Sequence, residues 1–266
     1  MIPRVLSIAG SDSGGGAGIQ ADIKTISALG GFAATAITAL TAQNTRGVSA
    51  IEAVSPEFVV AQIRAVRDDI GLDAIKIGML HRIEVVDAVA DYFDSLRALP
   101  PIVLDPVMIA KGGAALMSDD AQVAIVNRLI SRHTTLLTPN IPEAEALIGG
   151  KIENVEQMKA AAKQLQSMGP KAVLVKGGHL EGPTVTDVLA IDGDVQVFDH
   201  PRVDTRHTHG TGCTLSSAIA TGLAQGLSMS DSVERGLRYV EIAIHEAPGL
   251  GGGHGPLHHG HTVGEF

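Results

Sequence analysis

The chain has 266 residues, 45% of them apolar, with 31 glycines, one cysteine and a formal net charge of −9 at pH 7. That size suits one domain around one core, and the composition excludes disorder, collagen and coiled coil. The acidic balance argues against sequence-independent nucleic-acid binding, no apolar run reaches the roughly 20 residues of a membrane span, and one cysteine cannot close an internal disulfide.

Short apolar runs alternate along the chain with segments of helical period. Val5-Leu6-Ser7-Ile8-Ala9 predicts a first strand that breaks at Gly10. It carries no cationic leader, so no signal peptide and a cytoplasmic location are expected. Residues 19–29 predict a helix with Asp22 about one turn in, followed by an apolar run at 35–40. Pro56 suits the first turn of a helix over 56–70. Ala74-Ile75-Lys76-Ile77 predicts a strand, residues 84–96 a helix, and Ile102-Val103-Leu104 and Thr135-Leu136-Leu137 two further strands. Residues 155–168 predict another helix, and Ala172-Val173-Leu174-Val175 another strand. Val188-Leu189-Ala190-Ile191, Asp192-Gly193 and Asp194-Val195-Gln196-Val197 predict a two-residue hairpin, the one antiparallel exception. This alternation implies right-handed βαβ crossovers and an α/β fold of three layers: a central, mostly parallel sheet flanked by helices, in a single domain over residues 1–266.

In such sheets ligands bind beyond the carboxyl ends of the strands. The residues expected there are Gly10-Ser11-Asp12, Gly78-Met79, Asp105-Pro106-Val107, Thr138-Pro139-Asn140 and Lys176-Gly177-Gly178. A glycine turn, a carboxylate, an amide and a lysine thus converge on one edge. Further along, His209-Gly210-Thr211-Gly212-Cys213-Thr214 runs into small and apolar residues that suit a helix. A helix begun this way aims unpaired amides and the positive end of its dipole at whatever lies above it, which makes a candidate anion site. The same helix end is expected to favour thiolate at Cys213, although a lone cysteine also serves as a small buried hydrophobe.

The early glycine loop, residues 10–18, fits neither familiar phosphate-binding pattern. Counted from Gly14 and Gly16, Ile19 stands where a dinucleotide fingerprint needs its last glycine, and Ile23 occupies the second glycine of a Walker-type loop. The loop reads instead as a close-approach wall for a small planar ligand, with Asp22 accepting from ring N–H or amino groups, or as a plain strand–helix turn. Gln43 carries a primary amide that can donate and accept together, as a heteroaromatic edge requires, or can cap a turn. Asp105 and Glu143 suit Mg²⁺, which takes few protein ligands, while Glu143 also suits the first turn of a helix. Lys176 is a point charge suited to phosphate, with an exposed strand-end lysine as the alternative. The tail histidines His254, His258, His259 and His261 lack the fixed offsets of a metal site.

The runs Ile8 through Asp12 with 14–25, 39–47, Lys76 through Leu80, Leu104 through Met108, Thr138 through Ala144, Lys176 through His179, 208–215, and the tail Gly255-Pro256-Leu257-His258-His259 together resemble one family. It is the bacterial hydroxymethylpyrimidine/phosphomethylpyrimidine kinases of thiamine biosynthesis, within the ribokinase-like superfamily. The resemblance implies ATP-dependent phosphorylation of a hydroxymethylpyrimidine and then of its monophosphate. It also implies that Gly10, Asp22, Gln43 and Met79 hold the pyrimidine with Val107 nearby. Asn140, Glu143 and Asp105 serve the Mg²⁺–ATP side, Lys176 and Thr211 contact ATP, and Gly210, Gly212 and Cys213 form an anion hole. Sugar kinases of this superfamily resemble one another in an aspartate base where this chain has Cys213, which leaves that residue as thiolate base or as part of the hole. A homodimer is expected, without nucleic acid or membrane partners. Three other readings stand beside this one: a pyridoxal or pyridoxine kinase, a non-catalytic pyrimidine sensor, and a cysteine hydrolase pairing Cys213 with His209, for which no orienting partner of His209 is evident. The glycine-bearing residues 110–114 are expected to form a mobile flap.

Overall fold

The computed structural model describes residues 1–108 and 119–264; the expected flap at 110–114 lies outside them. Nine strands form a single sheet in the order β3-β2-β1-β4-β5-β6-β7-β8-β9. They are β1 (Arg4–Asp12), β2 (Phe32–Asn44), β3 (Gly47–Ala53), β4 (Ala74–Ile77), β5 (Ile102–Leu104), β6 (Leu136–Leu137), β7 (Ala172–Val175), β8 (Thr184–Ile191) and β9 (Asp194–Pro201). Strands β2-β1-β4-β5-β6-β7 run parallel. The order reverses at β1, with β2 on one side and β4 on the other, and such a switch point opens a crevice at the carboxyl edge.

The short central strands are buried along their whole length, as a sheet covered on both faces demands. Alternate residues divide between two cores. Leu6, Ile8, Ile75, Ile77, Leu104 and Val173 pack with α2 (Pro56–Asp69), α3 (Ile83–Asp94) and α6 (Val155–Gln166). Val5, Ala74, Val103, Leu136 and Leu174 pack on the other face with α1 (Gly18–Ala28), α7 (Thr211–Ala224) and α8 (Met229–His245). This period of two puts Ser7 and Lys76, paired in register across β1 and β4, on the α1/α7 face. The remaining helices are α4 (Asp119–Ala124), continued by a π-helical turn Ile125–Ile130, and α5 (Ile141–Ile148).

The expected hairpin is present as β8–β9, turning at Asp192 (φ 51°) and Gly193 (φ 86°), two positive φ values that define the turn type matched to strand twist. Its strands are twice the expected length. It is not the one antiparallel exception: β7–β8 and β2–β3 are antiparallel too. Strand β3 escaped the sequence reading because Gly47–Ala53 is a short, partly exposed edge strand in which Ser49 and Glu52 interrupt any continuous apolar run. Strand β1 also runs past Gly10. The pairing slips between Ala9 and Ser11, and after this bulge Ser11 and Asp12 rejoin β2.

Candidate active site

The predicted strand-end residues do converge on the carboxyl edge of the sheet, and they divide into two halves. In the first, Gly10 sits at the bulge of β1, where a Cβ would stand 2.3 Å from Met79 Cε. A side chain there would displace the Met79 methyl from its present position. Met79 is buried with Ala39, and Ile51 and Val107 pack against them as a small apolar patch separate from the main cores. Thr38 Oγ1 donates to the Met79 carbonyl at 2.6 Å and fixes that loop. Near this patch β2 runs past the end of β1, whose last pair is Asp12 with Thr41, and delivers Gln43, half-buried. Thr41 Oγ1 stands 3.1 Å from Gln43 Oε1, and Gln43 Nε2 lies 3.4 Å from His209 Nε2. The amide is therefore oriented, with its donor and acceptor held apart as a planar heterocycle requires.

Asp12 organises the glycine loop. Its carboxylate accepts from the amides of Gly14 (2.8 Å), Gly16 (3.1 Å) and Ala17 (2.8 Å) and meets His209 Nε2 at 2.9 Å. Burial alone would raise this carboxyl, but the His209 contact and the loop amides outweigh it and hold Asp12 below the usual range. His209 thus does have an orienting partner, contrary to the expectation, because Asp12 is 197 residues away in sequence. Its Nε2 is engaged with Asp12 and not with Cys213, which removes the arrangement that the hydrolase reading requires.

The second half is built around the start of α7. Gly210 precedes the helix at φ 85°, and a Cβ there would stand 1.8 Å from the Gly16 carbonyl, so both the conformation and the packing demand glycine. No side chain caps this terminus, whereas α2, α5, α6 and α8 are capped by Ser55, Asn140, Asn154 and Ser228. Its first-turn amides therefore have no side-chain acceptor. Facing them, Lys176 Nζ donates to Asp105 Oδ1 at 2.8 Å, and the Cβ position of Gly212 lies 3.1 Å from Lys176 Nζ and 3.2 Å from Asp105 Oδ2. Burial would lower the Lys176 ammonium, but Asp105 and Glu143 raise it, so it stays a cation. A cavity of about 580 Å³ opens beside this group, between Gly178, Gly182 and Pro183 on one side and residues 202–205 with Thr208 on the other. Arg202 holds its wall by donating to the carbonyls of Gly182, Gly178 and Leu180. A smaller cavity of about 300 Å³, lined by Ile63, Leu72, Ile75, Tyr92, Phe93 and Leu99 among others, lies at the opposite edge of the sheet, away from these groups.

Asn140 and Glu143 form a complete capping box at the start of α5: Asn140 Oδ1 accepts from Glu143 N at 2.9 Å and Glu143 Oε2 from Asn140 N at 2.8 Å. The helix-cap reading of Glu143 is therefore present in the structure. Burial pushes its carboxyl up to about 7, against the pull of Lys176 and with the help of Asp105.

Two expectations need correction. Asp22 does not face a ligand. It is fully buried, its oxygens accepting from Ser7 Oγ (2.5 Å), Ser217 Oγ (2.7 Å) and Lys76 Nζ (2.9 Å to each). It ties α1 to β1, β4 and α7 beneath the site. For Cys213 the packing favours the thiol over the expected thiolate: burial pushes it up to about 11, Lys76 opposing and Asp22 and Asp105 adding to the rise. Sequence reasoning assigned no role to Lys76, Ser7, Ser217 or Asp12. A lysine inside a wholly apolar strand was the available signal, since such a cation requires a carboxylate partner.

The sequence matches the family described as phosphomethylpyrimidine kinase over residues 12–258. It is 50% identical over 266 residues to a hydroxymethylpyrimidine/phosphomethylpyrimidine kinase of Rhizobium meliloti, covering 98% of each chain. It is 48% identical to the thiamine biosynthesis bifunctional protein ThiED of Geobacter sulfurreducens, with 96% of this chain spanning 52% of that protein. Among solved structures, a phosphomethylpyrimidine kinase from Clostridium difficile 630 superposes with a TM-score of 0.81 at 42% identity, covering 92% of this chain and 100% of that one. An ADP complex of Bacillus subtilis pyridoxal kinase superposes with a TM-score of 0.89 at 32% identity, covering 97% and 98%. The fold is ribokinase-like. An oriented amide beside an apolar patch, facing uncapped helix amides and a lysine–aspartate pair, suits phosphate transfer to a small ring. By sequence and by structure, the chain belongs to the phosphomethylpyrimidine kinase family.

Proposed function

We propose that this chain transfers the γ-phosphoryl group of ATP to the hydroxymethyl group of 4-amino-5-hydroxymethyl-2-methylpyrimidine, and then phosphorylates the resulting monophosphate. The observation that carries this reading is the position of the α7 amides: the Gly210 turn packs on the glycine loop of the ring half, and Gly212 faces the Asp105–Lys176 pair. In this reading Gln43 addresses the pyrimidine edge while Gly10, Met79 and Val107 provide the surface for its ring. The family's kinase activity and the ADP complex of the pyridoxal kinase neighbour support the nucleotide side, with Lys176, Asn140 and Thr211 toward the phosphates and the cavity at Gly178–Thr208 toward the base.

Mg²⁺ fits these residues. Asp105 turns Oδ2 toward the mouth, Glu143 lies next to it, and among the described residues no cluster could cage a metal by protein groups alone. That suits a cation carried mainly by phosphates and water. When bound, Mg²⁺ neutralises phosphate charge. The protein's own part is positioning: the ring half fixes the alcohol, the amides of Gly212 and Cys213 receive phosphoryl oxygens, and Lys176 supplies a fixed positive charge. Cys213 contributes as a neutral member of this mouth. A loose transfer needs no strong base, and the alcohol proton leaves to the new phosphate or to solvent.

Incubation with ATP, Mg²⁺ and the hydroxymethylpyrimidine, followed by product mass, tests the reading. Products heavier by one and by two phosphates are expected. No phosphorylated pyrimidine, with pyridoxal phosphorylated in a parallel reaction, would transfer the assignment to the pyridoxal kinases.

A further inference from the structure

The glycine- and histidine-rich tail is a sequence motif that this reaction leaves without a role. After α8 it crosses the ring half of the site. Gly253 N donates to Thr45 Oγ1 at 3.2 Å and His254 N to the Thr45 carbonyl at 2.8 Å, two residues beyond Gln43. His209 N donates to the Gly255 carbonyl at 3.1 Å, and His209 pairs with Pro256 in a short parallel bridge. Pro256 Cβ lies 3.1 Å from the Cβ position of Gly16, inside the loop that Asp12 organises. His259 is 3% exposed, with Nε2 3.0 Å from Thr214 Oγ1, in the first turn of α7; the Thr214 hydroxyl in turn donates to the Gly210 carbonyl. The Tyr239 hydroxyl of α8 donates to the His259 carbonyl and anchors the end of the crossing.

The glycines here reflect close packing and not slack chain. A Cβ at Gly253 would stand 2.0 Å from the Thr45 carbonyl, and one at Gly255 2.2 Å from His207 Nδ1. One short segment therefore touches the Gln43 turn, the glycine loop, His209 and the helix start. The wall of the nucleotide-side cavity is braced by a different residue, Arg202.

We propose that residues 251–259 form a positioning strap that fixes Gln43, the glycine loop and His209 relative to α7, and so sets affinity for the ring substrate and not for the nucleotide. This rests on the reading of the site as a pyrimidine kinase. Displacing the strap loosens the ring half where it meets α7, while Lys176 and Asp105, which it does not touch, stay in place.

Gly253→Ala tests it, because the added Cβ must push the strap off Thr45. The KM for the hydroxymethylpyrimidine is expected to rise about 10-fold or more, with kcat and the KM for ATP within about twofold. Hydrogen exchange read on the same protein is expected to accelerate at the amides of 13–17 and 43–46 and to stay unchanged at 176–180. His259→Leu, a second variant in case the first fails to fold, is expected to act likewise, and His259→Gln, which keeps a nitrogen near the ε position, to retain wild-type constants. Equal rises in both KM values, a loss confined to kcat, or unchanged constants overturn the proposal. If the wild-type chain itself does not phosphorylate the pyrimidine, that defeats the functional reading alone. The exchange pattern then decides the strap: selective acceleration supports it, and uniform or absent change overturns it.

Discussion

Among the described residues, two lysine–aspartate pairs have nearly the same contact length and opposite fates. Lys76 and Asp22 meet at 2.9 Å with both side chains fully buried, and Ser7 and Ser217 complete the carboxylate's shell. Lys176 and Asp105 meet at 2.8 Å, 14% and 2% exposed, at the mouth where Gly212 begins α7. The chemistry is the same; the partners differ. A carboxylate saturated by hydroxyls and an ammonium braces helices against a sheet. One with an oxygen turned toward a crevice can exchange its lysine contact for a ligand.

Breaking the inner pair is expected to have the largest effect. Lys76→Met leaves Asp22 buried and uncompensated, with a stability loss of about 3–5 kcal/mol in denaturant unfolding. The double variant Asp22→Leu with Lys76→Met is expected to recover most of that loss, since an apolar pair replaces both charges. No recovery would mean that the hydroxyl bonds of Ser7 and Ser217, and not the charges, hold the brace. Breaking the outer pair shifts the damage to catalysis. Lys176→Met is expected to lower kcat/KM about 100-fold, with a stability loss smaller than that of Lys76→Met and reduced by millimolar Mg²⁺. A loss of stability equal to that of the inner variant and indifferent to Mg²⁺ would erase the distinction between the two pairs.

Cys213 lies between them and reports on both, since Lys76 lowers its proton affinity while Asp22 and Asp105 raise it. With the thiol pushed up to about 11, it is protonated at neutral pH, and thiolate forms only as pH rises through that value. Alkylation by iodoacetamide is therefore expected to be slow at pH 7 and to quicken about tenfold per pH unit toward pH 10. A plateau near pH 7 would reinstate the thiolate. The smallest effect is expected of Cys213→Ala, with kcat reduced less than about 10-fold, whereas loss of a general base would reduce it about 100-fold or more.

The parts legible in the sequence were those carried by local pattern. Ala74–Ile77, Ile102–Leu104 and Ala172–Val175 read as strands because they are short, wholly apolar and bounded by turn residues. The Asp192-Gly193 turn was legible because its positive φ values select those residue types. Gly210 and the α7 start were legible for the same reason. What local pattern could not supply was the identity of distant partners. Asp22 was placed correctly one turn into α1, but what occupies its oxygens comes from Lys76, 54 residues on, and Ser217, 195 residues on. The Asp12–His209 pairing spans nearly the whole chain. For Cys213, the helix end pulls toward thiolate and burial pulls away, and only the packed structure gives the balance. Likewise the tail's composition reads as a loose end until Thr45 and His207 are found against its glycines.

The most direct measurement is a crystal structure of the chain with a non-hydrolysable ATP analogue, Mg²⁺ and the hydroxymethylpyrimidine. The account predicts the terminal phosphate within hydrogen-bond distance of the Gly212 and Cys213 amides, Lys176 turned toward it, and the ring edge on Gln43. A terminal phosphate bound away from α7, or a ring seated elsewhere than between Gln43 and Met79, would contradict it.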